Sequence, residues 1–293
     1  MNKSFKIEEC KKEVLKLIKN QGVVYDREIR YRLESKYPHD VTKNAIDQLL
    51  KEGKIKKTNV PGRRGAGDMP NVFYRLPGSD YRRLIQKMRE KLDLSIFIAG
   101  VSKEMGRHAE IVWWKAFKKH GWKLIPEREE EVGRGIREHK GRVASVNNDI
   151  DFVAEKDGVE YGVEIKNGLG YPDDLYWKFR VAAELNLIPM IIARWLNPAQ
   201  INLIPKLGGV YIIYKDAIYS TTYKEVIDRI RSILNLPIEA RNEIDEEFFK
   251  RKVEETHKNV LKNLKEHKRK IEDFLIRTSY RKEIRRTLGD KKQ

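Results

Sequence analysis

The chain has 293 residues, 40% of them hydrophobic and 36% charged, which allows packed cores, argues against wholesale disorder and suits two ordinary domains. The 61 Lys and Arg outnumber the 44 Asp and Glu for a formal net charge of +17, a field that attracts polyanions, of which nucleic acid is the commonest. Cys10 is the only cysteine, excluding an intrachain disulfide framework; the charged first residues and the lack of any long apolar run predict a cytoplasmic protein with no membrane partner.

Through residue 77 the pattern predicts three helices and a hairpin. Cys10, Val14, Leu17 and Ile18 form an apolar stripe at helical spacing, and Gly22 ends it. Asp26 is placed to cap a second helix carrying Ile29 and Leu33, which Pro38 stops. Thr42 is placed to cap a third, with Ala45, Ile46, Leu49 and Leu50 facing inward and Gly53 closing it. Residues 54–59 and 72–76 read as paired strands joined by the basic, glycine-rich loop 61–67. This order resembles a winged helix-turn-helix domain over the whole segment. The resemblance implies that the third helix enters the major groove of DNA. Lys43, Asn44, Gln48 and Lys51 on its outward side would then contact bases or phosphates, with Arg63 and Arg64 at the tip of the wing.

Residues 78–95 read as a helical linker rich in Arg and Lys, and a second domain is expected over 96–236. A helix beginning near Gly106 carries Glu110, Val112, Trp113, Ala116 and Phe117 and runs to 119. A strand at 123–125 and a charged loop at 127–148 follow. Asp157-Gly158 is a two-residue hairpin turn between a strand ending near Glu155 and one starting near Val159. Strand alternation then puts Glu164 and Lys166 on one face and Val163 and Ile165 on the other. Asp149 and Asp151 are expected to share a face of the first strand. A helix after Pro172, strands at 188–193 and 211–214 and a helix at 222–234 complete the domain.

Asp151, thirteen residues before Glu164 in the run Glu164-Ile165-Lys166, makes this region similar to the PD-(D/E)XK nuclease superfamily, the restriction-endonuclease-like fold. The spacing is like that of archaeal Holliday junction resolvases and Mrr-type catalytic domains. Glu110 matches the glutamate of the family's first core helix, and residues 100–195 follow its α/β core order, αβββαβ. Ile150 stands where the family name has proline, and Asp149 remains an alternative ligand. The resemblance implies that Asp151, Glu164 and the Ile165 carbonyl hold Mg²⁺ or Mn²⁺, with Glu110 joining directly or through water. Lys166 would orient or deprotonate the attacking water, or stabilise negative charge. No small-molecule cofactor is implied, and carboxylates without clustered His or Cys argue against zinc.

Asn167 is a candidate for phosphate binding or for capping the turn. Tyr171, Lys178 and Arg180 are candidates for the phosphate backbone or for the helix surface. Trp113, Trp114 and Trp177 are expected in the core or an interface. The expected function is a metal-dependent DNA endonuclease of restriction or repair type. The alternatives are a junction-resolving nuclease and, in another class, a non-catalytic DNA-binding regulator. In the charged extension 237–293, Val253, Val260, His267 and Phe274 recur every seven residues, with His257, Leu264 and Ile271 between them. That seam predicts either a homodimer or a helix folded back on its own chain.

Overall fold

In the computed structural model, which describes residues 3–60, 71–168 and 174–289, the chain is a mixed α/β protein of two units. One comprises Met1–Lys103 and Thr222–Ala240, the other Glu104–Thr221 and Arg241–Gln293. The sequence placed a linker at 78–95 and kept 222–236 with the second domain. Instead Tyr81–Lys119 (α4) is one helix of 39 residues that passes from the first unit into the second. Gly100 and Gly106 lie inside it. A helix-interior glycine costs only about 1 kcal/mol, which a long packed helix absorbs.

In the first unit α1 (Lys3–Gln21), β1 (Val23–Tyr25), α2 (Asp26–Leu33) and α3 (His39–Lys51) precede the hairpin β2 (Lys56–Val60) and β3 (Asn71–Arg75). The antiparallel sheet has the order β1-β3-β2. Alternation gives it two buried faces. Val24 and Tyr74 join Cys10, Val14, Ile18, Ile29, Ala45, Ile46 and Leu49 from the three helices. Val23, Tyr25 and Phe73 join Met88 and Leu92, one turn apart on α4.

Two expected caps are corrected. Asp26 is the first residue of α2, whose N-cap is Tyr25, with the Tyr25 amide donating to Glu28 at 3.3 Å. Thr42 lies buried inside α3, which starts at His39 after an N-cap at Pro38. Proline suits a helix start because the first amides have no helical partner. The helix Lys224–Leu234 buries Ile227, Ile230 and Leu234, and Arg229 pairs with Glu90 at 2.6 Å.

The second unit is built on a five-stranded mixed sheet. Its members are β4 (Lys123–Ile125), β7 (Phe152–Lys156), β8 (Val159–Lys166), β9 (Ile188–Ala193) and β10 (Val210–Ile213), in the order β10-β9-β8-β7-β4. The short hairpin β5 (Glu138–His139) and β6 (Arg142–Val143) interrupts the segment expected to be loop. β7 and β8 pair antiparallel across Asp157-Gly158, whose φ values of 52° and 74° give the expected tight turn. β8–β9 and β9–β10 are parallel, joined through α5 (Leu175–Glu184) and α6 (Pro198–Lys206).

Phe152, Ala154, Tyr161 and Val163 pack with Ala109, Val112, Trp113 and Phe117 of α4. Val153 packs with Val181 and Ala182 of α5 and with Leu185 just past its end. Gly162 lets α5 come close, because a Cβ there would meet the Ala182 Cβ at 2.6 Å.

The heptad seam lies against this unit's own core. Phe249, Val253, His257, Val260, Ile271 and Phe274 are all buried, most of them in the cluster that holds Trp113 and Phe117. The segment is broken, running through Glu255–Lys262, an interruption at Asn263, and Leu264–Gly289. Of the two alternatives the heptad left open, a homodimer or a fold-back, these residues take the fold-back onto the core of their own chain. No helix among the described residues is long and apolar enough to cross a membrane.

Candidate active site

Strand alternation sets up the chemistry. Gly162, Glu164 and Lys166 follow one another on the face of β8 turned to α5, while Val163 and Ile165 enter the opposite core. Glu164 is 2% exposed. Its Oε1 lies 2.8 Å from Lys166 Nζ and 3.2 Å from Lys178 Nζ. Lys178 comes from α5 and also binds Asp149 Oδ1 at 2.7 Å, while Lys166 binds Asp174 Oδ2 at 2.7 Å. Asp151, at the entry to β7, accepts the Ile165 amide on Oδ2 at 2.5 Å. Its own amide donates to the Val163 carbonyl at 3.0 Å, which fixes it beside Glu164.

Glu110 completes the group from α4. It and Asp151 are raised above the ordinary carboxylate range, each first by burial and then by a neighbouring carboxylate, Glu164 for Glu110 and Glu110 for Asp151. Glu164 is pushed up to about 8 by burial and then by Asp151, against the pull of the two lysines. Burial opposes the Lys166 and Lys178 ammoniums, but the charge of Glu164 and their hydrogen bonds to Asp174 and Asp149 prevail, and both lie above the ordinary lysine value. Lys166 is therefore held as a cation.

Two buried oxygens, Glu110 Oε2 and Glu164 Oε2, have no hydrogen-bond partner. A buried carboxylate oxygen left so is costly unless something electropositive meets it. The loop after β4 backs the group with bare main chain. At Gly133 a Cβ would come within 3.2 Å of Glu110 Oε2, and at Gly135 it would collide with the Asp149 carboxylate.

Hard oxygen donors of this kind suit Mg²⁺ or Mn²⁺. Among the described residues, however, no three His, Cys, Asp or Glu side chains are gathered in an arrangement ready to hold a metal. Lys166 and Lys178 are the groups on Glu164 Oε1. The orphaned oxygens fit a cation, and the lysines occupy part of the space in which one would be bound.

Asp151, Glu164, Lys166, Glu110 and the Ile165 main chain thus share one locality. Asp149 stands at its edge, engaged by Lys178, and lies before β7 rather than on it. Asn167 does not face this cluster. Its amide donates to the carbonyls of Met105 at 3.0 Å and Ile218 at 2.7 Å, and its oxygen accepts from the Tyr214 hydroxyl and the Ile218 amide. With those bonds made in the interior, it ties down the end of β8 instead of binding phosphate.

Arg180 pairs with Glu184. Trp113 and Trp114 are core residues, but Trp177 is 45% exposed. In the first unit, Lys43 and Lys51 are exposed and Asn44 and Gln48 half-buried on the outer side of α3. Arg63, Arg64 and Tyr171 lie outside the described residues.

Sequence reasoning missed Asp174 altogether and offered Lys178 for the phosphate backbone or the helix surface, not for a bond to Glu164 and Asp149. The available signal was their i, i+4 spacing at a helix start just beyond Glu164-Ile165-Lys166, which projects both side chains to one side. Comparison with protein-family models, with curated proteins and with solved structures finds no match to this chain.

Proposed function

We propose that this protein is a divalent-metal-dependent nuclease that hydrolyses DNA phosphodiester bonds, with its first unit acting as a winged-helix duplex-binding module. The observation that carries the reading is the crowding of Glu110, Asp151 and Glu164 beside Lys166, with two buried carboxylate oxygens lacking any partner. Buried carboxyls gathered in excess of their lysines and held above their ordinary range fit a cation site, in which a bound cation would keep them ionised.

Asp151, Glu164 and Glu110 would hold Mg²⁺ or Mn²⁺, which supplies charge neutralisation at the phosphate and lowers the pKa of water. Lys166, kept as an ammonium by Glu164 and Asp174, is suited to stabilising negative charge on the phosphoryl oxygens and to donating a proton. It is poorly suited to accepting one while both carboxylates hold it. Lys178 keeps Asp149 and Glu164 together and positions the carboxylates. On the first unit, Lys43, Asn44, Gln48 and Lys51 are available to the duplex.

The reading is tested by incubating the full chain with linear, nicked, flapped and branched DNA in Mg²⁺, Mn²⁺ or EDTA. Cleavage should appear with either metal and vanish with the chelator. Cutting that persists in EDTA, or no cutting of any of these substrates, would overturn it.

A further inference from the structure

Three of the five tryptophans, Trp113, Trp114 and Trp122, are at most 4% exposed, and Trp195 is half-buried. Trp177 departs from them at 45%, as does its neighbour Tyr176 at 42%. The two rings meet at 82° with centroids 5.1 Å apart. Tyr176 in turn meets the buried Phe274 at 5.7 Å, and Phe274 meets the buried Phe179 at 5.1 Å. Edge-to-face packing thus continues from the core to the surface, and Trp177 ends a supported aromatic ladder. A T-shaped contact covers at most one face of each ring, so flat aromatic surface stays open to solvent.

The position of the ladder narrows what could cover it. Trp177 is three residues after Asp174 and one before Lys178 on the first turns of α5, and those two residues grip Lys166, Glu164 and Asp149. Asp174 is the N-cap of α5 and Trp177 follows it by three residues, a spacing that brings side chains to neighbouring positions, so Trp177 emerges within one turn of the residue that grips Lys166. The net charge of +17 favours a polyanionic occupant. A polyanion that also offers flat apolar faces is nucleic acid with unpaired bases, since bases paired and stacked within a duplex present only their edges to a protein.

We infer that Tyr176 and Trp177 form a stacking platform for an unpaired base next to the scissile phosphate, so that the preferred substrate is DNA with a single-stranded or splayed portion rather than intact duplex. This deepens the nuclease reading above and rests on it. The ladder beneath holds the rings in place before binding, which limits the ordering cost of stacking on them.

The test uses the full chain in EDTA, where no cleavage intervenes. A fluorescently labelled single-stranded DNA of about 20 nucleotides, the RNA of the same sequence and the matching blunt DNA duplex are titrated by anisotropy. Trp177→Ala should weaken single-strand binding about tenfold and change duplex binding less than about twofold, the scale of one lost base–aromatic stack. Trp177→Phe should recover most of the affinity. Equal binding by wild type and Trp177→Ala, or an equal loss on single strand and duplex, would overturn the platform. Tighter binding of the RNA would overturn DNA as its substrate. A separate arm compares wild type with Asp151→Asn on flapped DNA in Mg²⁺. If both cut alike, the nuclease reading fails, whereas the binding arm is read without catalysis.

Discussion

Glu28 in the first unit and Glu164 in the second are both buried glutamates held by lysine, yet their surroundings differ in one respect. Around Glu28 it is the charges that are matched. Lys91 Nζ reaches Glu28 Oε2 at 2.6 Å, Gln21 Oε1 at 2.5 Å and the Val23 carbonyl at 3.1 Å, so its three donors are used. Arg32 lies 3.1 Å from the other oxygen of Glu28. Around Glu164 two lysines face five carboxylates, those of Glu110, Asp149, Asp151, Glu164 and Asp174, and two oxygens are left over. The charges of the first arrangement are balanced within the folded chain, although Glu28 Oε1, like Glu164 Oε2, accepts no hydrogen bond. In the second the carboxyls outnumber the lysines, and this imbalance of charge, rather than an orphaned oxygen, is the physical difference between the two sites.

The comparison can be broken at four points. The largest effect is expected at Lys166: Lys166→Ala or Asp151→Asn should lower metal-dependent cleavage about a thousandfold, or about 4 kcal/mol in barrier, with DNA affinity retained. Single-turnover rates beside a binding titration measure both, and cleavage at the wild-type rate would return Glu164 to the structural class. Next, Lys91→Met should destabilise the protein by about 3 kcal/mol or more by leaving Glu28 buried without its ammonium. Adding Glu28→Gln should recover part of that loss, as read from urea unfolding.

Third, Glu164→Gln should stabilise the metal-free protein at high pH. A carboxyl held near 8 when folded and near 4.5 when unfolded keeps a proton that the unfolded chain releases. Wild-type stability therefore falls as pH rises through that window and levels off above it. The variant lacks this term, so its melting temperature in EDTA should exceed the wild-type value by a margin that grows from about pH 5 to about pH 8, reaching about a few degrees. Added Mg²⁺ should raise the wild type selectively. A margin independent of pH would contradict the excess of buried negative charge. Finally, Lys43→Ala with Lys51→Ala should weaken duplex binding modestly and lower the salt slope by about 2, with cleavage chemistry unchanged. An unaltered slope would remove α3 from the DNA contact.

The elements were legible wherever a local rule set them. Asp157-Gly158 demanded its turn, alternation placed Glu164 and Lys166 on one face of β8, and the strands at 123–125 and 188–193 stand where the pattern put them. What was not legible depended on partners distant in sequence. Val23–Tyr25 is three residues long, too short to show a period, and is a strand because β3 pairs with it. The heptad from Val253 to Phe274 showed correctly which face is apolar but not what covers it, since seven-residue spacing is the same for a second chain and for Trp113 and Phe117. Within the site, Asp151, Glu164 and Lys166 could be read from their spacing. The hold of Asp174 and Lys178 on them showed in the sequence only as an i, i+4 spacing, because the contact itself is made where Gly162 admits α5 to the sheet.

Both units are discontinuous along the chain, the first needing Thr222–Ala240 and the second needing Arg241 onward. A ribosome that has released residues 1–103 has not yet supplied Ile227, Ile230 and Leu234, and one that has released 104–221 has not yet supplied Phe249, Val253 and Val260. The two apolar clusters of the first unit use only residues up to 96, whereas the main cluster of the second cannot close before Phe249, Val253 and Val260 are made, so that part of the nascent chain carries exposed apolar surface late into translation. The carboxylate cluster, drawn from residues 110–178, is therefore synthesised before the core beneath its sheet can be finished.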